Sequence, residues 1–294
     1  MQKIIPHIWF ETQAHDAALW YTKIFADSRI HFESSLSGTP SGTVQVISLQ
    51  LMGQDFQFLN AGPLFDRNPS FSYMIACSTA AEVDELWKKL IPGGKSLMPL
   101  DTYPFCERFG WVLDQYGLSW QIMHDGGRKV QTLTPALLFT QKAAGHAEEA
   151  MQNLIRLVGD GGILPGHVAR HPAGGPDREG TLQYARFHLC QQEFVFQDSA
   201  ISHAFTFNEM QSFMIYVESQ PEIERYSNAL SLVPEAEQCG WVKDAYGISW
   251  QIVPTRMDEM MAKGSPQQIE RLVRAFLPMK RMDIAALEKA FAGR

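Results

Sequence analysis

A chain of 294 residues with 45% hydrophobic and 19% charged residues can bury one large core or two ordinary ones, which excludes disorder, collagen and coiled coil. Its formal charge of −7 implies no basic surface for a phosphate backbone, so nucleic acid is not an expected partner. Cys77, Cys106, Cys190 and Cys239 form no C-x-x-C pair, the first ten residues hold no basic segment followed by an apolar run, and no stretch approaches a membrane span, so a reduced, cytoplasmic protein without membrane contact is expected.

In chain order, residues 4–10 read as a strand, and Ala14, Ala17, Ala18, Tyr21 and Phe25 mark one face of a helix. Residues 44–51 and 56–59 read as strands around the turn Met52-Gly53-Gln54, and 71–76 as another. Val83, Leu86, Trp87 and Leu90 form a second helical stripe, and strands at 111–113 and 118–123 flank Gln115-Tyr116-Gly117. The same order then returns. Ala147, Ala150, Met151, Leu154 and Val158 mark a third helix, and Ile223, Tyr226, Ser227 and Leu230 a fourth.

The return is a true repeat. Gly110 to Ile122 reads GWVLDQYGLSWQI and Gly240 to Ile252 reads GWVKDAYGISWQI, identical at ten of thirteen positions. Pro6-His7-Ile8 answers Pro135-Ala136-Leu137, Phe56-Gln57-Phe58 answers Phe194-Val195-Phe196, and Phe71-Ser72-Tyr73-Met74-Ile75 answers Gln211-Ser212-Phe213-Met214-Ile215. The second copy lacks about ten residues matching the region from Gly93 to Phe105. The expected organisation is one unit at 1–126, a second at 127–254 and a helical tail at 255–294, in an α+β fold with helices on one face of mainly antiparallel sheet. The tail carries a net +3 against −10 elsewhere. Its apolar positions have helical spacing, and its modest charge points to helices docked on the sheets and not to a membrane-surface helix.

Doubled βαβββ modules, Trp20-Tyr21 closing the first helix, Leu51-Met52-Gly53-Gln54, Leu59-Asn60-Ala61-Gly62-Pro63, Glu82-Val83-Asp84-Glu85-Leu86-Trp87 and the Cys239-Gly240-Trp241 signature resemble one family over nearly the whole chain. It is the PhnB-like branch of the vicinal oxygen chelate (VOC) superfamily, which includes glyoxalases, bleomycin-resistance proteins and extradiol dioxygenases. Proteins of this branch often carry the label "3-demethylubiquinone 3-methyltransferase-like". The resemblance implies that each unit, a pair of βαβββ modules, curls its sheet into a cup with helices outside. Single-unit relatives pair as dimers, so the fused units amount to an intrachain pseudo-dimer, with further oligomerisation open.

Metal-dependent members hold a divalent cation with His, Glu or Gln side chains in the cup. Aligned on Tyr21, the corresponding positions here are Pro6, Ser48, Ser70 and Gln121 in the first unit and Pro135, Arg186, Met210 and Gln251 in the second. Neither set offers three plausible ligands, so no complete metal site is expected; a shift of one residue on the first strand would bring in His7 as the least unlikely ligand. Strand alternation turns Ser119 and Gln121 to the cup and Trp120 to the helices. The expected pocket residues are Ser48, Asn60, Ser70, Trp111, Ser119 and Gln121 in the first unit and Arg186, Cys239, Trp241 and Gln251 in the second. Arg186, Met210 and the shortened hairpin lead to the expectation that the first cup is open and the second closed. No glycine-rich turn follows a first parallel strand, so there is no S-adenosylmethionine motif and methyl transfer is not expected. Three readings remain: a VOC-fold protein that binds a small, partly apolar molecule, a metal-dependent VOC lyase, isomerase or dioxygenase, and a structural pseudo-dimer with closed cups.

Overall fold

The structure, a computed structural model, describes residues 2–126 and 132–294; the junction of the two units, expected at 126–127, touches the undescribed segment. Four modules follow one another. The first comprises β1 (Ile4–Phe10), α1 (Ala14–Ile24), β2 (Arg29–Thr39), β3 (Gly42–Leu51) and β4 (Gln54–Asn60). The second comprises β5 (Phe71–Cys77), α2 (Ala80–Leu90), β6 (Lys95–Tyr103), β7 (Cys106–Leu113) and β8 (Ser119–His124). The third comprises β9 (Leu133–Phe139), α3 (Ala147–Val158), β10 (Gly161–Arg170), β11 (Leu182–Leu189) and β12 (Gln192–Asp198). The fourth is shorter: β13 (Gln211–Val217), α4 (Gln220–Leu230), β14 (Trp241–Lys243) and β15 (Ser249–Pro254). The tail forms α5 (Thr255–Lys263), α6 (Pro266–Phe276) and α7 (Ile284–Ala292).

The α+β class and the mainly antiparallel sheets agree with the sequence reading, but the strands are shared out differently. One sheet runs β14-β15-β13-β1-β4-β3-β2 and joins the first and last modules; the other runs β10-β11-β12-β9-β5-β8-β7-β6 and joins the middle two. We call them the terminal and the central sheet. The seams are antiparallel, with His7 opposite Ser212 and Ile5 opposite Met214 in the terminal sheet, and Ser72 opposite Ala136 in the central one. Each cup is therefore built from both repeats, which corrects the expectation of one cup per repeat. Modules two and three are neighbours in sequence and pair directly, as consecutive elements commonly do. The first and last modules are left to pair with each other.

The cores, by contrast, follow the repeats. Ile8, Phe10, Ile47, Leu49, Phe56 and Phe58 from module one meet Tyr73, Ile75, Val112, Trp120 and Ile122 from module two around Ala17, Ala18 and Tyr21 of α1. Leu137, Phe139, Phe187, Phe194 and Phe196 meet Phe213, Ile215, Trp250 and Ile252 around Ala150, Met151 and Leu154 of α3. The shared motif holds each last hairpin shut. Buried Asp114 accepts the Trp120 indole N–H at 2.7 Å, the Tyr21 hydroxyl at 2.6 Å and the amides of Tyr116 and Leu118. Asp244 does the same for Trp250, Tyr246 and Ile248 but lacks the tyrosine, because Leu154 stands where Tyr21 does. Burial pushes the Asp244 carboxyl up to about 6.

The tail docks, as its charge and spacing suggested: Leu272, Val273 and Phe276 of α6 and Leu287 of α7 join the core of the second repeat.

Candidate functional site

Alternation along each strand assigns one face to the helices and the other to a cup. On β1 the helix-facing residues are Ile4, Ile8 and Phe10. Pro6 shares their side, and the cup receives Ile5, His7 and Trp9. Proline is thus off the cup, and His7, one residue along, is on it. This is the register shift allowed for above, and it places His7 in a central strand and not at a sheet edge.

The terminal cup has three zones. Ile5, Met214, Tyr216 and Val253 form a buried apolar floor at one end. In the middle, Ser48, Gln57, His7, Ser212 and Ser249 stand in one row across five strands. At the other end Trp9 packs edge-on against Phe65 at 5.1 Å and donates its indole N–H to the carbonyl of Gly62. His7 is 1% exposed. Its Nδ1 lies 3.4 Å from the Ser212 hydroxyl, which accepts the Gln251 amide N–H at 3.0 Å. Trp241 meets the imidazole edge-on at 5.4 Å. Burial lowers the His7 pKa to about 3, so the ring is neutral at physiological pH. Ser249, also 1% exposed, has a hydroxyl with no hydrogen-bond partner among the described residues, which is uncommon in a folded interior.

The central cup repeats the plan with its polar groups paired. Gln121 donates to the Ser72 hydroxyl at 2.8 Å, and Ser72 donates to the carbonyl of Ala136, the residue that stands where His7 does. Trp111 donates to Ser119, the counterpart of Ser249, at 2.6 Å. Arg186, 2% exposed, fills the wall: Nη1 reaches Glu193 at 2.5 Å and the Thr134 hydroxyl at 3.1 Å, while Nε donates to the Tyr184 hydroxyl at 2.9 Å. Met74, Ala136 and Val195 pack beside them.

The expected pocket residues are therefore redistributed. Ser48, Trp241 and Gln251 share the terminal cup; Trp111, Ser119, Gln121 and Arg186 share the central one. Arg186 and the shortened hairpin, taken together as signs of one closed cup, belong to different cups. Ser70 precedes β5 and offers its carbonyl to the Leu138 amide. Asn60 lies off the cup, capping α1 by accepting the Ala14 amide at 2.7 Å. Cys239 sits at the tail, its thiol on the carbonyl of Leu277 at 3.0 Å, and Met210 packs into the first repeat's core. Ser72, Ser212 and Ser249 were missed. The repeat itself carried the signal, since Ser72 and Ser212 occupy matching places between apolar neighbours.

The terminal cup offers one imidazole with amides and hydroxyls and no carboxylate in its central row, and the central cup already holds a guanidinium. Among the described residues no three His, Cys, Asp or Glu side chains converge as a metal group.

Two curved sheets, each pairing one module from each repeat with helices outside, define a two-unit VOC-fold protein. The solved structure of glyoxalase I from Zea mays shares this fold, with a TM-score of 0.54 at 10% identity, covering 85% of this chain and 93% of that one. The family model described as 3-demethylubiquinone-9 3-methyltransferase matches twice, at residues 2–123 and 131–253, and the chain belongs to that family. PhnB protein from Bacillus cereus is 34% identical over 42% of this chain and 99% of its own, with a TM-score of 0.39. No curated protein matches the chain.

Proposed function

We propose that the protein binds a small, uncharged, partly apolar molecule in the terminal cup, without a resident metal, while the central cup serves as structure. The observation that carries this reading is the contrast at matching positions. His7 and the Ser249 hydroxyl face the terminal cup with hydrogen-bonding capacity to spare, where Ala136 and the Trp111–Ser119 bond close the central one. A neutral imidazole, a free hydroxyl and the Gln251 amide recognise hydroxyl, carbonyl or amide groups, and Trp241 with the floor of Ile5 and Met214 suits an apolar body. A charged ligand would be desolvated there without a counter-ion.

The position of His7 on the cup favours, as a second reading, a metal-dependent VOC enzyme. The lack of a carboxylate in the central row weighs against it. Methyl transfer is not part of the proposal, because the sheets have neither the parallel doubly wound order nor a glycine-rich first turn for an adenosyl cofactor. Four unpaired cysteines and a net negative charge fit a cytoplasmic protein that does not bind nucleic acid. No helix among the described residues is long and apolar enough to cross a membrane.

The test is a thermal-shift and NMR screen of neutral, anionic and cationic small molecules, with metal analysis of the purified protein. Neutral hits should be lost in His7→Leu and kept in Ser119→Ala. A stoichiometric transition metal, or binding that survives His7→Leu, would overturn the proposal.

A further inference from the structure

The repeated hairpin motif differs at one cup-facing position. Gly110-Trp111-Val112-Leu113 of the central sheet corresponds to Gly240-Trp241-Val242-Lys243 of the terminal one. Lys243 stands directly opposite Ser249 in the pairing of β14 with β15, as Leu113 stands opposite Ser119. Directly opposed residues share a face of the sheet, so Lys243 ends the central row of the terminal cup, next to the residue whose hydroxyl has no partner. Its ammonium is engaged elsewhere: Nζ donates to Oε1 of Glu209 at 2.5 Å.

Glu209 is placed by the loop before β13. The Asn208 side chain accepts the Met210 amide at 3.1 Å and donates to the carbonyl of Asp66 at 2.7 Å, and the Met210 carbonyl accepts the Trp9 amide at 2.8 Å. Asn68 makes the same turn before β5 by accepting the Ser70 amide, so Pro69 is the counterpart of Glu209. A leucine and a proline in the central cup are thus a lysine and a glutamate in the terminal one. The two charged side chains are 23% and 27% exposed, whereas Ser249 and Ser212 are 1% exposed. The pair therefore sits where the buried row reaches solvent, on the side of the cup that holds Trp9 and Phe65. Paired, the two charges cancel; alone, either would focus its field into a cup with low-dielectric walls.

We propose that Glu209 is a specificity-determining residue of the terminal cup: by holding the Lys243 ammonium it keeps the mouth electrically balanced, so that uncharged molecules enter and anions are not drawn in. This rests on the terminal cup being the binding site, but its test needs no ligand. Ser212→Cys provides a thiol beside His7, and Ser72→Cys its counterpart in the central cup. Each is labelled with a neutral, an anionic and a cationic methanethiosulfonate (methyl, sulfonatoethyl and trimethylammonioethyl), and peptide mass mapping reads each site apart from the native cysteines. The ratio of charged to neutral reagent rates at one site cancels any change in thiolate fraction. Added to these backgrounds, Glu209→Gln should raise the anionic-to-neutral ratio at position 212 about tenfold. Lys243→Gln should raise the cationic-to-neutral ratio by a similar factor, and the double variant should return both ratios to those of the parent. Position 72 should not respond. Unchanged ratios at 212, equal changes at 72, or no reaction at 212 with any of the three reagents would overturn the proposal. A ligand screen without hits would remove the binding reading and leave the ratios standing.

Discussion

The two cups share a plan and differ in what their polar groups do. In the central cup every conspicuous polar side chain has a partner inside the wall: Gln121 on Ser72, Trp111 on Ser119, Arg186 on Glu193, Thr134 and Tyr184. In the terminal cup the Gln251–Ser212 bond remains, but His7 replaces Ala136, Trp241 turns its edge to the imidazole, and Ser249 is left without a partner. One substitution at a seam position thus accompanies the loss of a hydrogen bond two strands away. Because each cup takes a module from each repeat, duplication let the cups diverge while each repeat kept its own core. Paired groups contribute to stability, and unpaired buried groups cost stability unless a ligand satisfies them.

The widest separation between the cups should come from Arg186. Replacing it with Ala removes a buried guanidinium from Glu193, Thr134 and Tyr184 and should cost about 3 kcal/mol in urea unfolding; a loss under about 1 kcal/mol would mean the pair is solvated and the central cup open. Arg186→Met together with Glu193→Gln should recover most of the loss.

His7 should sensitise the terminal cup to acid. Its folded pKa is depressed to about 3, so its stabilising neutral form is fully present above the ordinary histidine value near 6.5 and is lost as pH falls toward 3. Between pH 6.5 and 4 this amounts to about 3 kcal/mol. His7→Gln should therefore be less acid-labile than the parent, and parallel pH–stability curves would show that the ring is solvated.

Asp244 works in the opposite direction. A folded carboxyl pKa raised to about 6 favours the folded state at low pH, and that contribution fades as pH rises from about 4 through 6. The difference between parent and Asp244→Asn should change by about 2 kcal/mol across that window. A flat difference would place the carboxylate in water.

The smallest contrast is the most direct. Ser119→Ala removes the acceptor of the Trp111 indole and should cost about 1 kcal/mol, whereas Ser249→Ala removes a hydroxyl with no partner and should be close to neutral or stabilising. Equal losses at the two sites would erase the distinction between the cups.

Much of this was legible in the chain. The repeated GWVxDxYGxSWQI run marks both last hairpins, and alternation around Trp120 and Trp250 correctly turns Gln121 and Gln251 away from the helices, because side-chain direction in a strand is local. The spacing of Ala14, Ala17, Ala18 and Tyr21 marks a buried helix face for the same reason. Asn60 illustrates the limit: a residue beside a Gly-Pro turn looks available to a pocket until α1 is placed over it and takes its carbonyl as a cap. Cys239 and Met210 fail similarly, since a tail and a core claim them.

The sequence by itself determined two like units and their element order, since these follow from the repeat and from periods of two and 3.6 residues. Only the tertiary structure decided which modules share a sheet, that Arg186 joins Gln121 and His7 joins Gln251, and that the tail joins the core of the second repeat. Strand pairing joins residues more than 100 positions apart, as in Ile4 with Ile215, and no local pattern records which of several equivalent partners the seam will choose.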